Sequence, residues 1–344
     1  MQPFVDLPAG ARLRLCEEAQ ARLGLHAVAI EKDFWVCYTL RELFSLPDWG
    51  EHLTFKGGTS LSKAWHLIDR FSEDIDIVIE REFLGFGGDC GPERAPSLTQ
   101  QRKRIKKVKA TCRARIQEVL LPALAARFKS LIPEQASWKL EPDESDPDGE
   151  NLLFHYPAVV GRAAYVGPVV KIEMGARSDT EPREAVQIQP YLAEAFPEIL
   201  TGSAFPVRAV SARRTFWEKA MLLHEEILRP PDKPRKPTLA RHYYDLCRLI
   251  QKGVAAEAVA DAGLFQRVAA HRAIFFEQSW MDYSTLTRGS LRLVPPDEQV
   301  PAWRQDYRTM QAEMFFGEVP SFEEVLRVVA EFEAQFNQGP PETV

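Results

Sequence analysis

Phe55–Ile79 reads FKGGTSLSKAWHLIDRFSEDIDIVI, and the fold turns on this stretch. His52–Phe55 before it is a short β-like run, and Lys56-Gly57-Gly58-Thr59 punctuates it. Leu61–Ile68 then reads as a helix. Ile75–Glu80 alternates and is rich in β-branched residues, which predicts a strand. Glycines between a strand and a helix let the backbone approach a ligand, and N–H groups at a helix start point at anions. Thr59 and Ser60 add hydroxyl donors. No Walker A loop is present, since G-x-x-x-x-G-K-[ST] is absent. Asp74 and Asp76 open the predicted strand, sixteen and eighteen residues after Gly58. Side chains at i and i+2 of a strand share a face. Two carboxylates there repel unless a cation sits between them. Hard oxygens of this kind suit Mg²⁺ or Mn²⁺, which also bind substrate phosphates. For a bare D-x-D, the plainer reading is a pair of exposed acids on an edge strand.

Strand, Gly-Gly, helix and then D-h-D on the next strand resembles the DNA polymerase beta-like nucleotidyltransferases. That resemblance implies that Gly57, Gly58, Thr59 and Ser60 bind the phosphates of an NTP. It implies that Asp74 and Asp76 hold two metals, with a third carboxylate on a neighbouring strand. Glu173 is the candidate, set in the apolar run Val169–Met174, where a lone buried glutamate needs a partner. An ordinary salt bridge with Lys171 or an arginine explains it equally. Asp179 is the reserve.

The run GGTSLSK…RFSEDIDI further resembles the signature of the AbiEii/AbiGii-type nucleotidyl transferase toxins. These are the toxin halves of type IV toxin–antitoxin and abortive phage-infection systems. Glu31-Lys-Asp-Phe-Trp-Val36 is similar to an upstream helix of that family. Arg214-Thr-Phe-Trp-Glu218-Lys219 and Arg241-His-Tyr-Tyr-Asp245-Leu are similar to its third and fourth motifs. The ending Asp306-Tyr…Met310…Met314-Phe…Pro320-Ser-Phe322 is similar to its C-terminal helix pair. The order of elements along the chain predicts an α/β (α+β) nucleotidyltransferase core with a mixed sheet and a mainly helical C-terminal lobe, a bilobed body. The family implies Mg²⁺-dependent transfer of a nucleotide from an NTP to an acceptor such as tRNA, and a cognate antitoxin. Lys219 would neutralise phosphate charge and Asp245 would orient Lys219 or activate the acceptor. Two stretches, Gly85–Lys109 and the acidic 141–150, do not match the family pattern.

Without the resemblance, Lys219 also reads as a snorkelling lysine paired with an acid. Asp245 stands at +4 from Arg241 and −3 from Arg248, so an intrahelical salt bridge explains it. His242 reads as structural or surface. Ser72 lies two residues before Asp74. Phosphorylation there would set about two negative charges beside the carboxylates and is expected to silence the enzyme.

Length and composition agree with this outline. At ~150 residues per domain, 344 residues suggest two. The expected division is a nucleotidyltransferase core over 1–205 and a helical domain over 206–344. Apolar residues make up 45% and charged residues 27%, which excludes a chain disordered throughout. The five cysteines are scattered without C-x-x-C, so neither a disulfide framework nor a zinc site is expected. The N-terminus lacks an apolar core segment, so no secretory signal is expected. The longest apolar run, Pro157–Val170, is broken by Arg162 and glycines. No membrane span and a cytoplasmic location are therefore expected.

Net charge is −6, yet Arg94–Gln117 contains no acid. Within it Arg102, Lys103, Arg104, Lys106, Lys107, Lys109, Arg113 and Arg115 form a cationic helix. It suits an RNA backbone. It equally suits docking against the acidic 141–150 or an acidic antitoxin. The proline-rich Arg229–Pro237 loop adds four cations and is expected to border the active cleft. Two further readings stay open: nucleotidylation of a protein on Ser, Thr or Tyr, and a catalytically idle protein that keeps the fold and binds RNA or a partner.

Overall fold

The computed structural model describes residues 1–70, 72, 74–161, 167–315 and 319–339. Phe71 and Glu73 of the signature run lie outside the described residues, as does 162–166 of the long apolar run. The chain forms two compact units, Met1–Ala64 with Ser72–Val210, and Trp65–Phe71 with Ser211–Val344. Among the described residues no helix is long and apolar enough to cross a membrane.

In the first unit, α1 (Gln2–Val5), α2 (Ala9–Leu23) and α3 (Ala27–Phe44) precede β1 (Leu53–Lys56), α4 (Gly57–Lys63) and β2 (Ile75–Ile79). There follow α5 (Leu98–Arg115), a π-helical turn over Ile116–Leu120 and α6 (Leu121–Leu131). The remainder is β3 (Lys139–Pro142), β4 (Leu152–His155), β5 (Val169–Gly175), β6 (Arg183–Ile188), α7 (Tyr191–Ala195) and β7 (Phe205–Val210). The strands form one mixed sheet in the order β3-β4-β5-β2-β1-β7-β6. β2 runs antiparallel to β1 and parallel to β5, so the strand carrying Asp76 is central. Its β-branched residues fit a half-buried pleated surface. Ile75, Ile77, Ile172 and Phe154 face one side, where Trp35 of α3 meets Phe154 with ring centroids 5.9 Å apart. The opposite side of the sheet is left for polar residues.

The E-K-D-F-W helix has a positioning role here. Glu31 accepts from the amides of Val159 (2.8 Å) and Val160 (3.0 Å). Asp33 accepts from Tyr191 N at 2.7 Å and pairs with Lys63 at 2.8 Å. Lys63 also lies over the Tyr191 ring, 3.7 Å from its centroid. The last turn of α4 is therefore fastened to α3 by a buried ion pair.

The second unit holds α8 (Ala212–Ile227), α9 (Arg241–Gln251), α10 (Val254–Ala260), α11 (Leu264–Phe275), α12 (Val300–Met314) and α13 (Phe322–Gln338). Ser321 caps α13 by accepting from Glu324 N at 3.2 Å.

Three expectations change. The helix expected over Leu61–Ile68 starts earlier, at Gly57, and stops at Lys63. Beyond it the chain is drawn out, because Lys252 Nζ donates to His66 O at 2.8 Å and Arg248 pairs with Asp69. The pattern over Ala255–Ser279 by itself predicts one helix, but the chain breaks at Gly263, whose φ of +74° no helix tolerates. The strands β6 and β7 were not expected. The first is a largely exposed edge strand without apolar alternation.

Candidate active site

Register sets Lys56 of β1 and Glu173 of β5 directly beside Asp76. Partners in register share a face, so Lys56, Asp76 and Glu173 form a row across three strands. Lys171, two residues before Glu173 in β5, lies on that face too, and Asp74, just ahead of β2, is near enough to act on the Lys171 charge. Lys171 Nζ is 2.7 Å from Glu173 Oε1 and 3.8 Å from Asp143 Oδ2. Burial works against the Lys171 charge, but Glu173, Asp74 and Asp143 outweigh it and raise its pKa above the ordinary lysine value. Lys56 Nζ donates to Ser178 Oγ at 2.8 Å. Sequence reasoning passed over Lys56; its place immediately before the glycines, on a strand that pairs with D-I-D, was the available signal.

The glycine turn is pressed against this row. Gly57 has φ +81°, and a Cβ there would stand 1.9 Å from Asp76 Oδ2. Thr59 is buried, and its hydroxyl donates to the Asp74 carbonyl at 2.5 Å and lies 2.9 Å from Ser72 Oγ. Ser60, also buried, donates to Gly57 O at 2.9 Å. Both hydroxyls, expected to face a phosphate, are thus engaged with the backbone. Thr59 links the turn to the segment bearing Asp74.

Glu173 departs from expectation as well. It alternates with buried Ile172 and Met174 but is itself 38% exposed, so no burial cost demands a metal there. The salt bridge with Lys171, the simpler of the two sequence readings, is present. Asp179 Oδ1 accepts from Thr180 N at 2.8 Å within its own turn. Among the described residues, no three or more His, Cys, Asp or Glu form a group that could hold a metal as they stand. The donor chemistry of the face nonetheless suits a hard divalent ion, with oxygen ligands from Asp74, Asp76 and Glu173.

The second unit contains a different charge cluster. Arg70 grips Asp245 with two hydrogen bonds, Nε to Oδ1 at 2.7 Å and Nη2 to Oδ2 at 2.8 Å. Lys219 Nζ is 2.8 Å from Asp245 Oδ2 and 3.4 Å from His242 Nδ1. Arg70, Lys219 and Asp245 are all buried. Burial alone would raise the Asp245 pKa; Arg70 and Lys219 overcome it and hold the carboxyl below the usual carboxylate range. Burial, aided by Arg70 and Arg241, lowers Lys219 despite Asp245. Burial and the Lys219 charge keep His242 neutral. The intrahelical explanation of Asp245 fails. Arg248 turns to Asp69, and Arg241 donates to Thr238 Oγ1 at 2.9 Å. Arg70 stands 175 residues from Asp245 in sequence, and spacing could not have matched them.

The family model of the nucleotidyl transferase AbiEii toxin, type IV toxin–antitoxin system, matches residues 38–328. The chain belongs to this AbiEii family. It is accordingly a nucleotidyltransferase, the toxin of a type IV toxin–antitoxin system, in a family that works on NTPs with divalent metal and is paired with an antitoxin. No curated protein matches it. It is similar to MenT4, nucleotidyltransferase toxin of Mycobacterium tuberculosis H37Rv, at 16% identity and a TM-score of 0.45, over 96% of this chain and 100% of that one.

The two stretches of the AbiEii chain that fit no family motif join each other. The acidic 141–150 is no free tip. Asp143 and Glu150 are buried, and Asp146 Oδ2 accepts from the amides of Glu150 (2.8 Å) and Asn151 (3.0 Å). Asp148 pairs with Lys109 of α5, and Gln117 donates to Gly149 O at 3.0 Å. The docking alternative for the cationic helix is therefore realised in part. Arg104 is engaged too, donating to the carbonyls of Asp89 and Gly91, each at 2.7 Å. Arg102, Lys103, Lys106, Lys107 and Arg113 remain exposed along one side of α5. In the Arg229–Pro237 loop, Arg229 holds Glu226, and Arg235 lies over Trp303 with 3.9 Å to the ring centroid. Those two cations serve the helical unit.

The toxin's first unit also contains a cavity of ≈ 420 Å³. It lies between the crossover after β5, which contributes Ser178–Glu181, and the loop Arg81–Arg94. Val78 and Glu80 of the β2 segment form part of its wall.

Proposed function

We propose that this toxin moves a nucleotide from an NTP to an RNA acceptor, tRNA first among them, in the cytoplasm, with Asp74 and Asp76 at the reacting end. The chemistry is assigned to residues 1–205, and residues 206–344 support it. The observation that carries the reading is the row Lys56–Asp76–Glu173 with Gly57 pressed onto Asp76. Gly57 and Gly58 bring backbone close to the carboxylates, where phosphates of an NTP would lie. Thr59 and Ser60 hold that turn in shape. Mg²⁺, or Mn²⁺, would be held by Asp74 and Asp76, with Glu173 joining once it leaves Lys171. Such ions supply charge neutralisation and a more acidic acceptor hydroxyl. The protein's own part is positioning and compensation of phosphate charge.

Lys219 is read as the cation that meets phosphate. Arg70 and Lys219 bring two positive charges against the single Asp245 carboxylate, and the surplus supports that reading. Asp245 then anchors Lys219. Its oxygens already accept from Arg70 and Lys219, which argues against a role in taking the acceptor's proton. The exposed Arg102, Lys103, Lys106 and Lys107 are read as backbone contacts for the RNA, with Arg104 and Lys109 shaping the helix that presents them.

The test incubates the protein with each labelled NTP, Mg²⁺ and total tRNA. Label should enter RNA with wild type and not with Asp74→Ala or Asp76→Ala. Equal transfer by these variants would refute the site. Label on a protein band would move the acceptor to Ser, Thr or Tyr. Absence of Mg²⁺-dependent NTP binding in calorimetry would leave an idle binding protein. Ser72 is proposed as a control point: a phosphate there would break its contact with Thr59 and repel the NTP. Ser72→Asp should be inactive, and full activity of that variant would discard the idea.

A further inference from the structure

Oppositely charged side chains that neighbour one another on one face of a sheet attract. Lys171 and Glu173 meet in that way, at 2.7 Å. Lys56 behaves differently. It is the register partner of Asp76, yet its Nζ donates to Ser178 Oγ at 2.8 Å. Among the described residues it forms no ion pair with an acid. A carboxylate is the stronger acceptor for an ammonium, because both partners are then ionised. Geometry has therefore overruled charge at Lys56.

The geometry comes from the crossover between β5 and β6, which is fastened along its length. Arg81, just past β2, donates through Nη1 to the carbonyls of Ala176 (3.3 Å), Arg177 (3.2 Å) and Ser178 (3.1 Å). Its Nη2 pairs with Glu93 at 2.7 Å. Beyond Ser178, Asp179 Oδ1 accepts from Thr180 N at 2.8 Å and from Glu181 N at 3.4 Å, which fixes the turn. At the far end Arg183 donates to Thr54 Oγ1 at 3.4 Å and pairs with Glu80. Thr54 stands two residues before Lys56, and Glu80 four after Asp76. The crossover is thus tied to both strands that carry the pair, and it presents the Ser178 hydroxyl from a fixed backbone. Lys56, on its flexible four-carbon stem, comes to that hydroxyl.

Where Lys56 goes decides how a cation reaches Asp76. An ammonium closed onto a carboxylate takes up an oxygen lone pair and offsets the charge that draws a metal. A neutral hydroxyl holds the same ammonium without involving the acid. We propose that Ser178 is a positioning residue of the metal site: it holds Lys56 to one side, so that a divalent cation enters the row without first breaking a Lys56–Asp76 ion pair. The inference rests on the reading of Asp74 and Asp76 as metal ligands.

The test titrates Mn²⁺ alone into the full-length protein and follows the EPR signal of the free ion. Wild type should bind Mn²⁺ and Asp76→Ala should not. Ser178→Ala should bind it about fivefold more weakly, the cost of opening one half-buried ion pair. The deciding variant is Ser178→Ala/Lys56→Gln, which has no ammonium left to close on Asp76. It should bind Mn²⁺ at least as tightly as wild type. A crossover merely loosened by the loss of Ser178 would not be repaired by a change on β1. Unchanged binding by Ser178→Ala overturns the proposal and leaves the metal reading standing. So does a double variant that binds as weakly as Ser178→Ala. Failure of wild type to bind Mn²⁺, or equal binding by Asp76→Ala, removes the metal reading and the proposal with it.

Discussion

On the sheet face, Asp74, Asp76 and Glu173 stand with Lys56 and Lys171, and Glu173 and Lys171 are each about one-third exposed. In the helical unit a single carboxylate, Asp245, is enclosed by Arg70 and Lys219 out of contact with water. The first cluster has acids in excess and the second has cations in excess. Acids that reach solvent tolerate their mutual repulsion until a soluble cation arrives. A fully buried acid cannot wait, because an unpaired charge in a low dielectric is destabilising by several kcal/mol. The chain therefore builds a surplus of counter-charge into the second cluster, whereas in the first Lys56 and Lys171 offset the acids only in part.

That contrast can be broken at several points. Asp74→Ala and Asp76→Ala should reduce nucleotidyl transfer by about 10³-fold or more, since metal and phosphate binding are lost together. Thermal stability should change far less than for a buried pair, because both side chains are only half-buried. Asp245→Ala should do the reverse and destabilise the fold by about 3–5 kcal/mol in urea titrations, by stranding Arg70 and Lys219. The Asp245 pKa is depressed in the folded state, so its contribution is complete above the ordinary carboxylate value, ~3.9, and is lost only as pH falls through the folded value. Between neutrality and mild acid the urea midpoint should not respond to this group.

Glu150 shows the opposite sign. Burial pushes it up to about 7, against the hydrogen bond with Cys112 and the charges of Arg177 and Lys109, with Asp148 adding to the rise. A carboxyl raised on folding binds a proton the unfolded chain has released, so it destabilises progressively between the ordinary value, ~4.3, and the folded one. Glu150→Gln should stabilise the protein by about 1–3 kcal/mol at pH 8 and by little at pH 4.5, read from melting curves at both. The smallest effect concerns α5. Replacing Lys103, Lys106 and Lys107 by Ala should weaken RNA binding a few-fold and flatten its salt dependence by up to about three phosphate contacts. An unchanged slope would detach the exposed stripe from the acceptor.

Local patterns were legible in the sequence. The β-branched run of β2 and the glycines ahead of α4 announce themselves by period and by residue type. Asp76 on a strand beside a second acid strand was readable too, because one strand's alternation fixes its faces. Long-range choices were hidden. Glu173 was read as buried from its apolar neighbours, although alternation alone could have turned it outward. Lys171 takes it. Asp245 was matched to arginines one turn away, while its partner Arg70 comes from a segment that joins the helical unit. Thr59 and Ser60 were read by composition as ligand donors, and packing turned both inward. Edge strand β6 carries too little apolar alternation to be seen without its neighbour β7.

Gly57 is constrained twice over. Its backbone angle excludes most side chains, and the Asp76 carboxylate occupies the space where a Cβ would go. These are two separate obstacles at one position, and relieving the first leaves the second in place. Any relative that carries a side chain there must also have moved its acid, by turning the carboxylate away or by shifting the strand that holds it. The residue at this position is therefore a marker, readable from a sequence alone, of whether the turn and the carboxylate keep the spacing seen here.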